Sequence, residues 1–362
     1  MPHHNLLFLS LFLAIICFFG SLGSTYFFRN VATNLKILDD PKQEPSRKKH
    51  PKPIPLLGGT GFTLTATLIM LIVWILVELK VPFFLEIGQN LEPFNLFAIC
   101  LAIFVLLLNG FLDDKNNSPR SLVFLLVFVA LSVTIFLGGV RIESLSYPFD
   151  QIIPNNSNLH VILTYIWLGA CVVATKFLDG HDGLVSLIGI INLFAIASIS
   201  LLIQFSQPLI FVFAVVWAFG IAGFLPFNFP EAKLYLGEGG SEIIGFIIGV
   251  LSIISGAKIA TTSTIIGWFI LDFLLVIGLR FWKKKPILKG DRLHWHFRLQ
   301  DYGFDKVKTL AITCTLILLT AHLGILLPTE LKIFAILAQI ISLSGIFIFT
   351  FLKNPKHSQQ KC

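Results

Sequence analysis

Long apolar runs alternate with short polar knots along the whole chain. Eleven such runs fall at roughly 5–27, 60–79, 94–112, 121–139, 159–178, 184–203, 208–228, 241–257, 261–280, 309–327 and 331–352. Each has about the twenty residues that carry a helix across a bilayer core. A helix is the expected conformation because it satisfies every backbone N–H and C=O internally where water is absent. The first run has almost no positive n-region and no convincing small-residue cleavage site, so it is expected to be a retained helix. The eighth is short and contains glycine. The pattern predicts an all-α, polytopic membrane bundle of about eleven transmembrane helices, forming one domain over residues 1–362.

Composition agrees: 55% of residues are hydrophobic, only 13% are charged, and there are 36 phenylalanines. That is too apolar for an ordinary soluble domain. Cysteines 17, 100, 171, 314 and 362 are scattered without metal-ligand spacing and read as buried thiols. The net charge of +7 suggests nucleic acid only until its distribution is seen. Loops after odd-numbered helices, with the C-terminal tail, hold 23 of the 27 Lys and Arg, leaving Lys80, Arg141, Lys258 and Lys332 opposite. Basic loops stay cytoplasmic, so the N-terminus is expected outside and the C-terminus inside. The basic tracts at Arg47 to Lys52 and Lys283 to Lys285 then lie near anionic headgroups.

Every dense polar cluster falls on that same side, in the expected cytoplasmic loops 28–59, 112–120, 179–183, 229–240 and 281–308 or at their edges. The clusters are "LDDPKQEPSRKKHPKPIPLLGG", "NGFLDDKNNSPR", "TKFLDGHDG", "NFPEAKLYLGEGGSE" and "KGDRLHWHFRLQDYG". Together they describe a membrane-surface site open to a water-soluble reactant. Asp113 and Asp114 are adjacent carboxylates, an arrangement that a cation or a shared proton stabilises and that a helix C-terminus disfavours. A solvated helix end is the bland alternative. Asp179 and Asp182 stand in D-G-x-D-G, with Lys176 one turn earlier. Gly237 to Ser241 leads into a helix, where unpaired N–H groups make an anion cradle, or else simply a flexible turn with a serine cap. His294 and His296 share a loop with Asp291, Arg292 and Arg298. Two histidines at i and i+2 are compatible with zinc, yet no third ligand has recognisable spacing, and phosphate suits the set better. Asp272 lies inside the ninth run, where burial makes an ionisable group a functional candidate, though a bond to a neighbouring helix hydroxyl serves equally well.

Taken in order, the clusters resemble the polyprenyl-phosphate N-acetylhexosamine-1-phosphate transferases, the glycosyltransferase family 4 proteins that include phospho-MurNAc-pentapeptide transferase. Asp40-Pro41, His50 and the Pro55 to Gly59 segment look like the family's first cytoplasmic loop, and Asp113-Asp114 like its Asp-Asp motif, with Asn117 at an often acidic position. Asp179 to Leu184 matches D-G-x-D-G-L, Gly223 to Lys233 resembles G-F-L-x-x-N-x-x-P-A-K, and His294 with His296 resembles H-x-H-H. The likeness implies transfer of a sugar-1-phosphate from a UDP-sugar to undecaprenyl phosphate with release of UMP, using Mg2+, at the inner (cytoplasmic) membrane. A homodimer is among the assemblies left open. It implies catalytic roles for Asp113, Asp114, Asp179 and Asp182, and substrate contacts from Lys52, Lys176, Asn228, Arg292, His294 and His296. Glu238 is the implied metal ligand.

Four positions in three motifs depart from the family pattern. Val173 and Lys176 stand where two asparagines are usual, Glu238 replaces an aspartate in "GEGGS", and Phe297 ends "HWHF". The expectation is that Lys176 places an ammonium at or beside the metal position, with the longer Glu238 arm pairing to it. Displaced metal, weaker metal dependence or lost catalysis is the expected consequence of such a swap. "GDRLHWHFRL" favours the broad N-acetylhexosamine branch, while "HWHF" also echoes the peptidoglycan branch. A transporter or lipid flippase is the competing class, against which stand acids gathered at one surface and no internal repeat. A catalytically silent homologue is the third reading.

Overall fold

A computed structural model describes residues 3–42, 52–85, 95–116, 118–143, 157–202, 207–255, 259–284, 286 and 293–353. Every one of the eleven apolar runs coincides with a helix. These are α1 (His3–Asn34), α2 (Gly58–Glu78), α4 (Leu96–Asn116), α5 (Arg120–Ser132), α6 (Ser157–Leu178), α7 (Leu184–Ser200), α8 (Pro208–Asn228), α9 (Glu238–Ile254), α10 (Ile259–Trp282), α12 (Lys306–Leu326) and α13 (Thr329–Lys353). The short α3 (Pro82–Leu85) and α11 (Trp295–Asp301) lie in connections, and a π-helical turn, Val133–Leu137, prolongs α5. Among the described residues nine helices are long and apolar enough to cross a membrane, and α7 is a shorter apolar helix. Large apolar side chains such as Phe8, Phe104, Ile166, Leu319 and Ile341 point outward, as a lipid-facing surface requires. The protein is an all-α, multi-span membrane protein.

α9 is the hub, packing against α6, α4, α7 and α2, with α8 holding α1, α2 and α7 together beside it. All of Gly239 to Leu251 is buried, and small residues set the distance to each neighbour. A Cβ on Gly110 of α4 would stand 2.0 Å from the Gly239 nitrogen, one on Gly59 of α2 would stand 2.2 Å from the Gly240 Cα, and one on Gly245 would stand 2.3 Å from the Cys171 carbonyl of α6. Three helices thus touch α9 backbone to backbone. Small residues allow this close approach in a membrane, where no hydrophobic effect drives helices together.

Two strands close the polar end. β1 (Leu38–Asp39) pairs antiparallel with β2 (Ile54–Pro55) in the register Leu38↔Pro55 and Asp39↔Ile54. The chain then runs on beside the segment before α9: Tyr235 N–H donates to the Pro55 carbonyl (2.9 Å), and Gly58 and Gly59 N–H donate to the Tyr235 and Leu236 carbonyls (3.0 and 2.7 Å). The first polar loop is thereby tied to the fourth.

Gly110→Ala is expected to cost about 1–3 kcal/mol, because its methyl meets immovable backbone. Gly278→Ala, whose Cβ would meet nothing within 4 Å, is expected to be neutral or to gain up to about 1 kcal/mol from helix propensity. Thermal unfolding of the purified variants in detergent checks both.

Candidate functional site

Lys176 sits in the last turn of α6, and its ammonium is the centre of an ion cluster. Nζ donates to Glu242 Oε1 at 2.8 Å, and lies 3.1 Å from Glu238 Oε2 and 3.3 Å from Asp113 Oδ2. Glu242 has no exposed side-chain surface, whereas Lys176 and Asp113 are partly open and Glu238 more so. Asn109 completes the buried end, donating from Nδ2 to both Glu242 oxygens at 3.2 and 2.9 Å. Asn109 and Glu242 are members of the candidate site that motif reading missed. Their signal is the helical spacing: Asn109 lies four residues before Asp113, and Glu242 four after Glu238, so each pair shares one helix face.

Asp114 faces the start of α9, where Glu238 N–H donates to its two oxygens at 3.2 and 3.3 Å. This corrects the anion-cradle expectation for Gly237 to Ser241. The carboxylate of Asp114 itself meets the helix N-terminus, so the position that attracts anions is filled from within the chain. Gly237 adopts φ 78°, and a Cβ there would come within 2.6 Å of Asp114 Oδ2. Gly239 and Gly240 serve the close packing of α9.

The turn between α6 and α7 is braced on three sides. Asp182 Oδ2 accepts from Lys306 Nζ at 2.7 Å, joining the turn to α12, and from Ala232 N–H at 3.4 Å. Asn228, buried, accepts at Oδ1 from Gly183 N–H and Ser186 Oγ (both 3.1 Å) and donates from Nδ2 to the Leu234 carbonyl (3.2 Å). These three bonds make Asn228 a brace of the turn. Asp179 is held well above the usual carboxylate range, first by burial and then by the neighbouring Glu238, Asp182 and Asp39 charges. A carboxyl in that setting resists ionising until a cation or donor approaches.

The fifth cluster folds over this turn. Asp272 on α10 accepts from His294 Nδ1 (2.9 Å) and from Trp295 N–H (3.1 Å), so the intramembrane acid pairs with the histidine loop and not with a helix hydroxyl. His294 and His296 stack with ring centroids 5.8 Å apart, and His181 meets His296 edge-on at 5.9 Å. The carboxylate behind His294 fixes its tautomer and orientation. His294 Nε2 and His181 Nε2 are buried without a hydrogen-bond partner among the described residues. Burial holds His181 below its ordinary range, so it is neutral near pH 7. Phe297 has a use of its own: a Cβ on Gly180 would lie 2.7 Å from its ring, so the aromatic seats on the glycine of the Asp-Gly turn.

The structure thus brings Asp113, Asp114, Asp179, Asp182, Lys176, Glu238, His294 and His296 to one end of the bundle. Lys52 is exposed just before β2. Arg292 lies outside the described residues, as do His50, Asn117 and Asp291.

The resemblance implies a divalent cation where Lys176 and Glu238 stand, and the family is metal-dependent in general terms. The residues here do not fit one. An ion held about 2.0–2.6 Å from carboxylate oxygens of Asp113, Glu238 and Glu242 would overlap the ammonium that already lies 2.8–3.3 Å from the same groups.

Comparison with known proteins agrees with this geometry. The glycosyl transferase family 4 model matches residues 96–256, which hold the Asp-Asp pair, the D-G-x-D-G turn and the start of α9. A probable undecaprenyl-phosphate N-acetylglucosaminyl 1-phosphate transferase of Bacillus subtilis is 26% identical over 337 residues, covering 91% of this chain and 88% of the relative. An undecaprenyl-phosphate alpha-N-acetylglucosaminyl 1-phosphate transferase of Thermotoga maritima is 27% identical, covering 86% and 88%. A phospho-N-acetylmuramoyl-pentapeptide-transferase of Staphylococcus haemolyticus is 29% identical, covering 73% and 82%. With its motifs folded together on a multi-span helical bundle, this chain is similar to glycosyl transferase family 4, a likeness that the family model over residues 96–256 and the three relatives support.

Proposed function

We propose that the protein transfers N-acetylhexosamine-1-phosphate from a UDP-sugar to undecaprenyl phosphate at the cytoplasmic face of the inner membrane, as the first membrane step of cell-envelope polysaccharide synthesis. The observation that carries this reading is the convergence of five polar segments, far apart in sequence, at one end of an otherwise apolar bundle. Such a site offers charge to a diphosphate while the apolar flanks accept a prenyl chain. The names of the relatives above support the substrate class.

In the reaction, an oxygen of the lipid phosphate attacks the β-phosphorus of the UDP-sugar. The bond from that phosphorus to the bridging oxygen breaks, and UMP leaves with the bridging oxygen and its negative charge. The protein's task is alignment and charge stabilisation. Asp113, partly open and ion-paired on one oxygen, takes the proton of the lipid phosphate or orients it. Asp114 positions the start of α9. Lys176, with His294 and His296, meets the charge that builds on phosphate oxygens. Asp179 ionises against an arriving donor and shapes the nucleotide end. A divalent cation would supply positive charge to the diphosphate, but the Lys176 cluster gives it no place between these carboxylates.

Transfer of phospho-MurNAc-pentapeptide is the second reading, favoured by the "HWHF" segment and the Staphylococcus relative.

Membranes containing the protein, given radiolabelled UDP-N-acetylglucosamine and undecaprenyl phosphate, are expected to yield lipid-linked sugar and UMP. Label from UDP-MurNAc-pentapeptide alone would select the second reading, and no product from either would contradict both. Asp113→Asn is expected to lower kcat by about 100-fold or more, the typical worth of a positioned acid–base group. Asp272→Asn keeps an acceptor for Trp295 N–H but removes the charge behind His294. Its kcat is expected to fall about tenfold or more at little change in KM, as for other partners that orient a functional histidine.

A further inference from the structure

The ammonium of Lys176 touches three carboxylates from two helices, and one of them is wholly buried. A surface lysine swings among many positions, but this one is fixed from below. Glu242 accepts from Lys176 at 2.8 Å and from Asn109 at 2.9 and 3.2 Å, so its carboxylate is already oriented by a second donor. Removing Lys176 would leave Glu242 buried beside Glu238 and Asp113 without the ammonium that now lies among them. Carboxylates so placed repel one another and attract a cation. The same three groups therefore define a cation position, and the chain supplies its own cation to it.

We propose that Lys176 is the resident cation of this protein: its tethered ammonium occupies the place of a divalent ion among Asp113, Glu238 and Glu242, and the site works without binding one there. Two features of the geometry carry this. The Nζ distances of 2.8–3.3 Å are those of direct hydrogen-bonded ion pairs, leaving no room for an ion or its waters between nitrogen and oxygen. The partners also come from both helices, α4 and α9, as the ligands of a bridging ion would. A lysine offers a single charge and three rotatable donors, so it stabilises phosphate oxygens as a point charge with less force than a divalent ion. In exchange its occupancy does not depend on metal supply. The metal-binding consequence stands by itself; only its extension to turnover rests on the proposed transferase reading.

The test uses the full chain in detergent, with Mn2+ as the probe, followed by electron paramagnetic resonance or calorimetric titration. Wild type is expected to show no Mn2+ binding that Glu238→Gln removes. Lys176→Asn is expected to gain one site, and Lys176→Asn with Glu238→Gln to lose it again. A wild-type site abolished by Glu238→Gln would overturn the proposal, as would a folded Lys176→Asn that gains nothing. If Lys176→Asn does not fold, the wild-type titration decides, together with transferase turnover in EDTA. Turnover retained in EDTA supports the resident ammonium, and turnover present in magnesium but lost in EDTA overturns it. Absence of product under both conditions counts against the transferase reading alone, because the Mn2+ titration still decides the question of the ion.

Discussion

A charged carboxylate cannot sit buried among membrane helices without a partner, and Glu242 of α9 has no exposed side-chain surface. Its partners are Lys176 on α6 and Asn109 on α4. That single requirement ties the three helices into one register around the hub and fixes the lysine that the candidate site is built upon. The cost of breaking such a buried pair from one side is about 3–5 kcal/mol, mostly the penalty of the charge left behind. The same contact that orders the bundle therefore sets the electrostatics of its polar end.

The rest of the site depends on how near the helices come. Gly110, Gly59 and Gly245 allow α4, α2 and α6 to meet α9 at backbone distance, so Asp113, Asp114 and Lys176 arrive beside Glu238 and Glu242. The strand-like bonds from Pro55 to Gly59 with Tyr235 and Leu236 bring in the first loop. The Asp182–Lys306 and Asp272–His294 contacts draw in α12 and the histidine segment. Each contact is a short polar bond between elements remote in sequence. Together they turn five loops into one surface.

The fold was largely legible in the sequence, because a span must be a helix and an apolar run of that length has few other options. All eleven runs proved helical. The acids of the site were legible too, since polar letters stand out in an apolar chain. The Lys176–Glu238 pair was read as well, from the two departures in their motifs; what could not be read were the buried pairings. Nothing local says that Lys176 meets Glu242, 66 residues away, or that Asn109 meets it from 133 residues away. Glu242 was passed over because it follows the glycine motif and opens an apolar stretch, where one acid resembles a helix-start preference. The glycines of that motif drew a phosphate-binding reading because loop flexibility and helix packing use the same residue, and only the facing glycines on α2 and α4 distinguish them. The bonds by which Asn228 braces the turn, to Gly183, Ser186 and Leu234, were likewise not readable from its motif.

A double-mutant cycle on Lys176 and Glu242 measures the central interaction most directly, using unfolding in detergent of Lys176→Met, Glu242→Leu and the pair. With the charges coupled as described, the double variant is more stable than Lys176→Met alone, and the coupling energy is about 1 kcal/mol or more. Effects that add to within about 0.5 kcal/mol would show that the two side chains do not sense each other, and the account of the site as an internally neutralised ion cluster would be wrong.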